Sequence, residues 1–119
     1  MTPRATKDDK VSLLRGTLDI FVLRAVSGRA LHGFEISLWL DRNTKGALVV
    51  DDSALYQSLH RLEERGLVDS EWGISDNNRR ARYYRITRRG RSHLSTESAR
   101  LKSYADTIHA LLAADAGLE

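Results

Sequence analysis

The segment DDSALYQSLHRLEERG, residues 51–66, restricts the fold more than any other stretch of the chain. Its leucines recur at the spacing of one helical face, at Leu55, Leu59 and Leu62. Asp51 is a residue type that caps helix N-termini, and Gly66 stands where a glycine commonly ends a helix. The segment therefore predicts a helix over about residues 52–65 that packs on a core through its leucines.

Two strand-like segments, LVDSEWGI and RARYYRIT, follow within residues 67–87. The residues between them, SDNNR, are polar types that tolerate turn conformations. Alternation places Tyr84 and Ile86 on the core face, and Tyr83 and Arg85 on the outer face. We expect a β-hairpin whose second strand is basic.

Upstream of residue 51, the pattern predicts two more helices and a brief strand. The first helix runs from about Ser12 to Ala25, and the second covers about residues 32–43, where we expect His32 to support the turn into it. The short apolar, β-branched run at 47–50 predicts a strand. Residues 1–11 are polar and predict a flexible arm.

A long final helix is predicted over about residues 88–116, capped by Thr87. Its apolar seam has coiled-coil-like spacing, at Leu94, Ser98, Leu101, Ala105, Ile108 and Leu112. Such a helix extends about 40 Å, further than a small core can cover, so the seam favours a second copy of the chain. The predicted dimer interface on this helix comprises Leu94, Leu101, Tyr104, Ala105, Ile108 and Leu112.

Positive charge is concentrated in NNRRARYYRITRRGR, residues 77–91, which holds seven arginines and no acidic residue. Because the formal net charge of the whole chain is +3, those seven arginines leave −4 for the rest. Like charges packed this closely repel one another unless a partner neutralises them. The cluster therefore favours a partner with a dense, fixed array of negative charge.

The order of elements predicts a mainly α fold with a small β-hairpin, an α+β winged helix-turn-helix with a long C-terminal dimerisation helix. We assign the flexible arm to residues 1–11, the DNA-binding domain to 12–87 and the dimerisation helix to 88–119. In such folds the helix at 52–65 enters the major groove and the hairpin follows the phosphate backbone or minor groove. The predicted DNA-binding residues are Ser53, Tyr56, Gln57, His60, Arg61, Arg79, Arg80, Arg82 and Arg85.

The chain resembles the PadR family of transcriptional regulators over roughly residues 12–95, in order and without large gaps. The resemblance is carried by LLRGTLDIFVLRAV, ALHGFEI, ALYQSLHRLEERGLV, SEWG and RRARYYRITRRG. The length resembles that of the short-chain branch, which has one C-terminal helix. The resemblance implies a homodimer that represses promoters at inverted-repeat operators and releases DNA when a small effector binds near the dimer interface. It also implies that the amino-terminal helix joins the C-terminal helix in the dimer contact, which adds Leu14 and Leu18 to the predicted dimer interface.

Two residues depart from the family pattern. Family members commonly have Leu-Tyr-Pro where this chain has Leu55-Tyr56-Gln57, and the Gln57 amide can bond adenine bidentately, so base preference is expected to differ. The C-terminal helix lacks the tryptophan that some multidrug-responsive members use to stack ligands, which makes a flat aromatic drug a less secure expectation.

Several classes of function are not expected from this sequence. No cysteine is present, the four histidines show no metal spacing, and Asp8-Asp9 and Asp51-Asp52 are better explained as a solvated arm and a helix start than as paired catalytic acids. We predict no catalytic residue, metal or cofactor, and hence no enzyme. No membrane span or signal peptide is apparent, and these absences favour a cytoplasmic protein.

Some alternatives stay open. Tyr56 is interpreted as DNA contact or edge-of-core packing, and Trp39 as core or as the wall of an effector pocket, a role that Tyr104 could also fill. Trp72 is predicted to pack within the base of the wing. The hairpin also fits a nucleic-acid-binding protein without sequence preference, and the fold also fits a protein-interaction adaptor.

Overall fold

Helices on one side and a small antiparallel sheet on the other enclose one core in the computed structural model, which describes residues 15–117. The elements in chain order are α1 (Arg15–Ala25), β1 (Leu31–His32), α2 (Gly33–Asn43), α3 (Asp52–Glu64), β2 (Val68–Ile74), β3 (Arg80–Ile86) and α4 (Arg88–Ala113). The predicted arm at 1–11 and the predicted interface residue Leu14 lie outside the described residues. The predicted α+β fold, a winged helix-turn-helix with a long C-terminal helix, is confirmed.

Side-chain caps set where the two central helices begin. The Nδ1 atom of His32 accepts a hydrogen bond from the Glu35 amide at 3.3 Å, and Glu35 accepts one from the His32 amide at 3.1 Å, which is a capping box. Asp51 accepts from the Ala54 amide at 2.8 Å at the start of α3. Gly66 follows α3 with φ of +72°, a left-handed conformation that glycine adopts without strain. These observations confirm the predicted ends of α3 and the role of His32.

The core is aliphatic and joins every element. Its fully buried side chains include Val22, Leu23, Ile36, Leu55, Leu59, Leu62 and Val68. Tyr84 and Ile86 of β3 are also buried, as predicted from the alternation of that strand. The apolar faces of α1, α2 and α3 therefore meet the inner face of the sheet, and burial of these faces provides the main stabilisation.

The sheet order is β1-β3-β2, with both pairings antiparallel. Val68 pairs with Ile86 and Ile74 with Arg80, so the hairpin closes through residues 75–79, where Asn78 has φ of +57°. The prediction of a strand at 47–50 is wrong. The edge of β3 is already paired with the two-residue β1, so the 47–50 segment has no strand to join despite its β-branched residues.

Helix α4 packs on the body only through its first turns. Thr87 caps it, with its hydroxyl accepting from the Gly90 amide at 3.0 Å and donating to the Gly66 carbonyl oxygen at 2.7 Å. Gly90 is buried against the backbone of Leu67, where there is no room for a side chain. Further along, Leu94 and Leu101 are half-buried, and the helix beyond Leu101 projects from a structure whose extents are 63 × 35 × 20 Å.

Candidate nucleic-acid interface

One face of α3 is free and polar, while the opposite face carries the core leucines. Ser53, Tyr56, Gln57 and His60 are exposed, which matches the predicted division of the helix. His60 lies 3.2 Å from the carboxylate of Glu64 one turn later. The exposed residues of the first two turns therefore form a continuous strip of hydroxyl, phenol and amide groups.

Tyr56 joins α3 to the start of α2. Its side chain is 51% exposed, and its ring lies over Gly33, where an added methyl group would come within 3.0 Å of the Tyr56 Cζ atom. One edge of the Tyr56 ring is thus packed on the α2 backbone and the other is open to solvent, and its contact with DNA stays a prediction.

Arg61 turns away from this strip and binds α1. Its Nε and Nη2 atoms donate to the Asp19 carboxylate at 3.1 and 2.7 Å, and the buried Ser58 hydroxyl donates to the same carboxylate at 2.6 Å. Hydrogen bonding to Asp19 raises the pKa of the Arg61 guanidinium, against the opposing effect of burial. Through this network Arg61 anchors α3 on α1. The sequence signal for this network was Asp19, the single acidic residue of α1, between the apolar residues Leu18 and Ile20.

The hairpin, hereafter the wing, has an inner face that continues the core side of the sheet. Trp72 and Arg82 are directly opposite each other on this face, nearer the tip than the buried Tyr84. The Arg80 guanidinium carbon lies 4.4 Å from the centroid of the Trp72 ring, and that of Arg82 lies 5.5 Å away. Trp72 is 54% exposed, so the prediction that it packs within the wing base is wrong. The register places Trp72 nearer the tip of the wing than Ser70, the cross-strand partner of the buried Tyr84.

Arg82 ties the wing to α3. Its Nε atom donates to the Ser70 hydroxyl at 2.8 Å, and its Nη2 atom lies 3.5 Å from the Glu63 carboxylate. The Ser70 hydroxyl in turn donates to Glu63 at 2.6 Å. A carboxylate near the end of α3 thus fixes the inner face of the wing relative to that helix.

The outer face of the wing carries its own charge pairs. Arg85 donates to Asp69, its direct cross-strand partner, at 2.8 Å, and lies 3.8 Å from Glu71. The Tyr83 ring packs edge-on against His32 at 5.2 Å between centroids. Tyr83 and Arg85 therefore share the outer face as predicted, but Arg85 points away from the side on which Arg80 and Arg82 lie.

Tyr56 of α3, the start of α2 and the inner face of the wing line a cleft of about 540 Å³, hereafter the wing cleft. Its aromatic walls are Phe34, Tyr56 and Trp72, and Phe34 is 71% exposed. The wing cleft is also lined by Arg79, Arg80 and Arg82, with no carboxylate among its described lining residues. Guanidinium groups can bond phosphate oxygens bidentately, and aromatic faces can contact sugars or bases. Phe34 and Trp72 were not among the residues predicted from the sequence to lie on this surface.

A second cleft of about 570 Å³ lies between α1 and α2. Trp39 forms part of its wall, together with Arg24, Arg29 and Arg42, and also packs against the core. Trp39 therefore packs against the core and also lines this cleft, and a role in binding an effector stays a prediction.

The predicted dimer residues fall into two groups in the single chain. Leu18, Leu94 and Leu101 are half-buried against their own chain, whereas Ala105 and beyond are exposed. The exposed large side chains on α4 are Tyr104, Ile108, Leu111 and Leu112, with exposed fractions of 65%, 39%, 71% and 82%. Leu111 was not among the predicted residues.

Neither a metal site nor a membrane-spanning helix is found in residues 15–117. No set of three or more His, Asp or Glu side chains there is arranged to hold a metal ion. None of the helices in this part of the chain combines the length and apolarity needed to cross a membrane.

Residues 22–96 match the family described as Transcriptional regulator PadR-like family. The chain is 32% identical over 94 residues to the transcriptional regulator Rv3488 of Mycobacterium tuberculosis, an alignment that spans 79% of this chain and 84% of the relative. A transcriptional regulator from Clostridium thermocellum has a similar solved structure, with a TM-score of 0.71 and 27% identity over 80% of this chain and 92% of that one. A PadR-like transcriptional regulator from Bacillus cereus has a TM-score of 0.75 at 23% identity, over 87% of this chain and 99% of that one, which supports the fold. The chain therefore belongs to the PadR-like family, as a winged-helix, DNA-binding transcriptional regulator and not an enzyme.

Proposed function

We propose that this regulator is a homodimeric, sequence-specific repressor that binds an inverted-repeat operator and is released by a small effector. The observation that carries the DNA-binding part is the wing cleft, whose described lining residues include three arginines and three exposed aromatic side chains and no carboxylate. Repression and effector release rest on the family resemblance.

In this proposal α3 reads bases in the major groove. Ser53 and Gln57 lie in its first two turns on the exposed face, where recognition helices contact base edges. The Gln57 amide suits adenine, and Tyr56, beside the start of α2, suits a phosphate. His60 lies further along the same face, with Glu64 as its neighbour. Arg61 is omitted from the contact surface because Asp19 holds it.

The wing supplies phosphate and minor-groove contacts. Arg79 and Arg80 lie at its exposed tip, and no carboxylate of residues 15–117 lies within 4.0 Å of either guanidinium. Arg82 lines the same cleft but is partly neutralised by Glu63, and Arg85 is on the outer face with Asp69. We therefore rank Arg79 and Arg80 as the principal wing contacts.

Dimerisation through α4 would cover side chains that a single chain leaves in water. We propose that the helix over 88–119 serves as the dimerisation element, with Tyr104, Ile108 and Leu112 facing the partner and Leu18 supporting the contact from α1. Two α3 helices must then lie about 34 Å apart to enter successive major grooves. An effector that prefers a different spacing of the α4 helices would lower DNA affinity through its differential binding to the two states.

Sequence specificity is tested with DNA from upstream of the gene that encodes this chain. We expect an inverted repeat there, with half-sites about one helical turn apart, to bind about 10³-fold more tightly than a scrambled duplex of the same composition at the same salt concentration. Fluorescence anisotropy of labelled duplexes gives both affinities. Equal affinity for the two duplexes would support a nucleic-acid-binding protein without sequence preference.

The wing contacts are tested by a matched pair of substitutions on one strand. Arg80→Ala should weaken binding and reduce the slope of log affinity against log salt by about 1.8 for a dimer, since each phosphate charge that a wing arginine neutralises, on the backbone or from within the minor groove, contributes about 0.9. Arg85→Ala removes the same formal charge from the outer face and should leave the slope nearly unchanged. Equal slopes for wild type and Arg80→Ala would favour a protein-interaction adaptor.

The dimer is tested in solution by light scattering. Ile108→Asp with Leu112→Asp should yield a monomer that binds DNA weakly, because charges would be buried in the proposed interface. Ser103→Asp places a charge on an exposed position away from the seam and should leave the dimer intact. A dimer that survives the first pair of substitutions would place the interface elsewhere.

A further inference from the structure

Three large aromatic side chains around the wing cleft are exposed. Phe34, Tyr56 and Trp72 line one cleft and each is more than half exposed. Contiguous exposed apolar surface of this kind commonly marks an interaction site. Of the three, Trp72 lies on β2, directly opposite Arg82 of the basic strand β3.

Trp72 is held in one orientation by its neighbours. Arg80 stacks over the ring at 4.4 Å, and Arg82, opposite Trp72 in the strand register, lies 5.5 Å from the centroid. Arg82 is itself fixed by Ser70 and Glu63. The indole therefore belongs to a chain of contacts that begins on α3 and ends at Arg80 near the tip of the wing.

Stacking also changes what Arg80 can do. A free arginine side chain loses rotamer entropy when it binds, and a guanidinium already fixed on an aromatic face loses less. The indole covers one face of the guanidinium and leaves the edge of its planar fork able to donate hydrogen bonds. A narrow A·T-rich minor groove has an enhanced negative potential that attracts such a group.

We propose that Trp72 is a specificity-determining residue that contacts the deoxyribose wall of the minor groove and presents Arg80 to its floor. This inference rests on the proposed binding of duplex DNA and adds how the wing chooses sequence. Recognition by α3 reads the half-site in the major groove, while the Trp72–Arg80 pair reads the width of the minor groove beside it. The wing should therefore favour A·T pairs in the bases that flank each half-site.

The test uses a 30-base-pair duplex selected by the wild-type protein from a randomised pool. Its flanks are then made A·T-rich, G·C-rich or inosine·cytosine, the last of which resembles A·T in the minor groove and G·C in the major groove. Wild type should bind the A·T and inosine·cytosine flanks about tenfold more tightly than the G·C flanks. Trp72→Ala should lose most of this preference, Trp72→Phe should retain part of it, and Trp39→Phe, the matched tryptophan control, should behave as wild type.

Fluorescence gives a second measurement that does not require an unstable variant. The chain has only two tryptophans, so in Trp39→Phe all indole emission comes from Trp72. Adding the selected duplex should shift this emission and protect it from acrylamide quenching. In Trp72→Phe, where only Trp39 emits, the duplex should cause much smaller changes.

The outcomes separate this inference from the proposed function. If wild type binds the selected duplex, but Trp72→Ala keeps the full flank preference and Trp72 emission does not respond to DNA, the role of Trp72 is refuted and the repressor proposal stands. If wild type shows no preference for the selected duplex over the random pool, both proposals fail. A wild type that prefers A·T but not inosine·cytosine flanks would place the recognition in the major groove, which also contradicts the role of Trp72.

Discussion

Substituting Asp19 by asparagine tests the contact that holds the recognition helix in place. Asp19 is only 4% exposed, and its carboxylate accepts hydrogen bonds from Ser58 and Arg61 on α3. Asparagine keeps the shape and one acceptor oxygen but removes the negative charge. The Arg61 guanidinium, whose side chain is 26% exposed, would then be left without its counter-charge.

The expected loss follows from how these groups are buried. Removing one partner of a buried ion pair costs about 3–5 kcal/mol, and we expect the lower end, about 3 kcal/mol, because Arg61 retains some contact with water. In a domain of this size each kcal/mol shifts the melting temperature by about 4 °C. Asp19→Asn should therefore lower it by about 12 °C.

The measurement is thermal and urea unfolding followed by circular dichroism at one fixed protein concentration, because dimerisation would make stability depend on concentration. The control is Asp69→Asn, which removes the same charge from Arg85 where both side chains are more than half exposed. That change should cost about 0.5 kcal/mol. Arg61→Met combined with Asp19→Asn should be less destabilised than the sum of the single changes. If Asp19→Asn melts within a degree or two of Asp69→Asn, the network does not hold α3 on α1.

Three further predictions concern single contacts. Gly90→Ala should lower the free energy of unfolding in urea by about 3 kcal/mol, because the added methyl group would overlap the Leu67 carbonyl oxygen and lie 2.8 Å from Ile86 Cγ1. The control Gly16→Ala has open space around the added methyl group and should be neutral or stabilising. Thr87→Ala should cost about 1–2 kcal/mol through the lost cap of α4, and Thr107→Ala, on the exposed side of that helix, less than about 0.5 kcal/mol; equal effects would contradict the cap. Gly33→Ala should displace the Tyr56 ring and weaken DNA binding about tenfold in anisotropy titrations, with little change in melting temperature. An unchanged affinity would show that DNA binding does not need the ring in this position.

Local rules in the sequence were sufficient for most of the fold. The leucine spacing, Asp51 and Gly66 gave α3 nearly to the residue, because helix periodicity and caps are set by neighbours in the chain. The strand predicted at 47–50 failed because a strand needs a partner, and only the folded chain shows that β1 occupies the edge of β3. A two-residue strand leaves no periodic signal.

The site was less predictable than the fold for a similar reason. A helical wheel gave the exposed face of α3, but the position of Arg61 depends on Asp19, 42 residues earlier in the chain. The hairpin register decides that Arg85 meets Asp69 and that Trp72 meets Arg82. The number of arginines in the sequence therefore overestimated how many lack an ion-pair partner in the wing. It also gave no indication of the aromatic side chains that line the same cleft.

The division of the arginines between paired and unpaired sites explains how so basic a wing can fold. Arg82 and Arg85 are held by Glu63 and Asp69 on opposite faces, so half of the four wing arginines are counter-charged within the chain. Arg79 and Arg80 have no such carboxylate among residues 15–117 and remain available for phosphates.

A consequence can be measured in the salt dependence of operator binding. If all four wing arginines contacted phosphates, a dimer would gain about 7 in the slope of log affinity against log salt, whereas two free arginines per protomer give about 3.6. Alanine at Arg79 and Arg80 together should therefore remove nearly the whole contribution of the wing to the slope. Alanine at Arg82 and Arg85 together should change it little while loosening the wing. Equal reductions from the two pairs would mean that the Arg82 and Arg85 ion pairs break when DNA binds. Those arginines would then contact phosphates instead of holding the wing together.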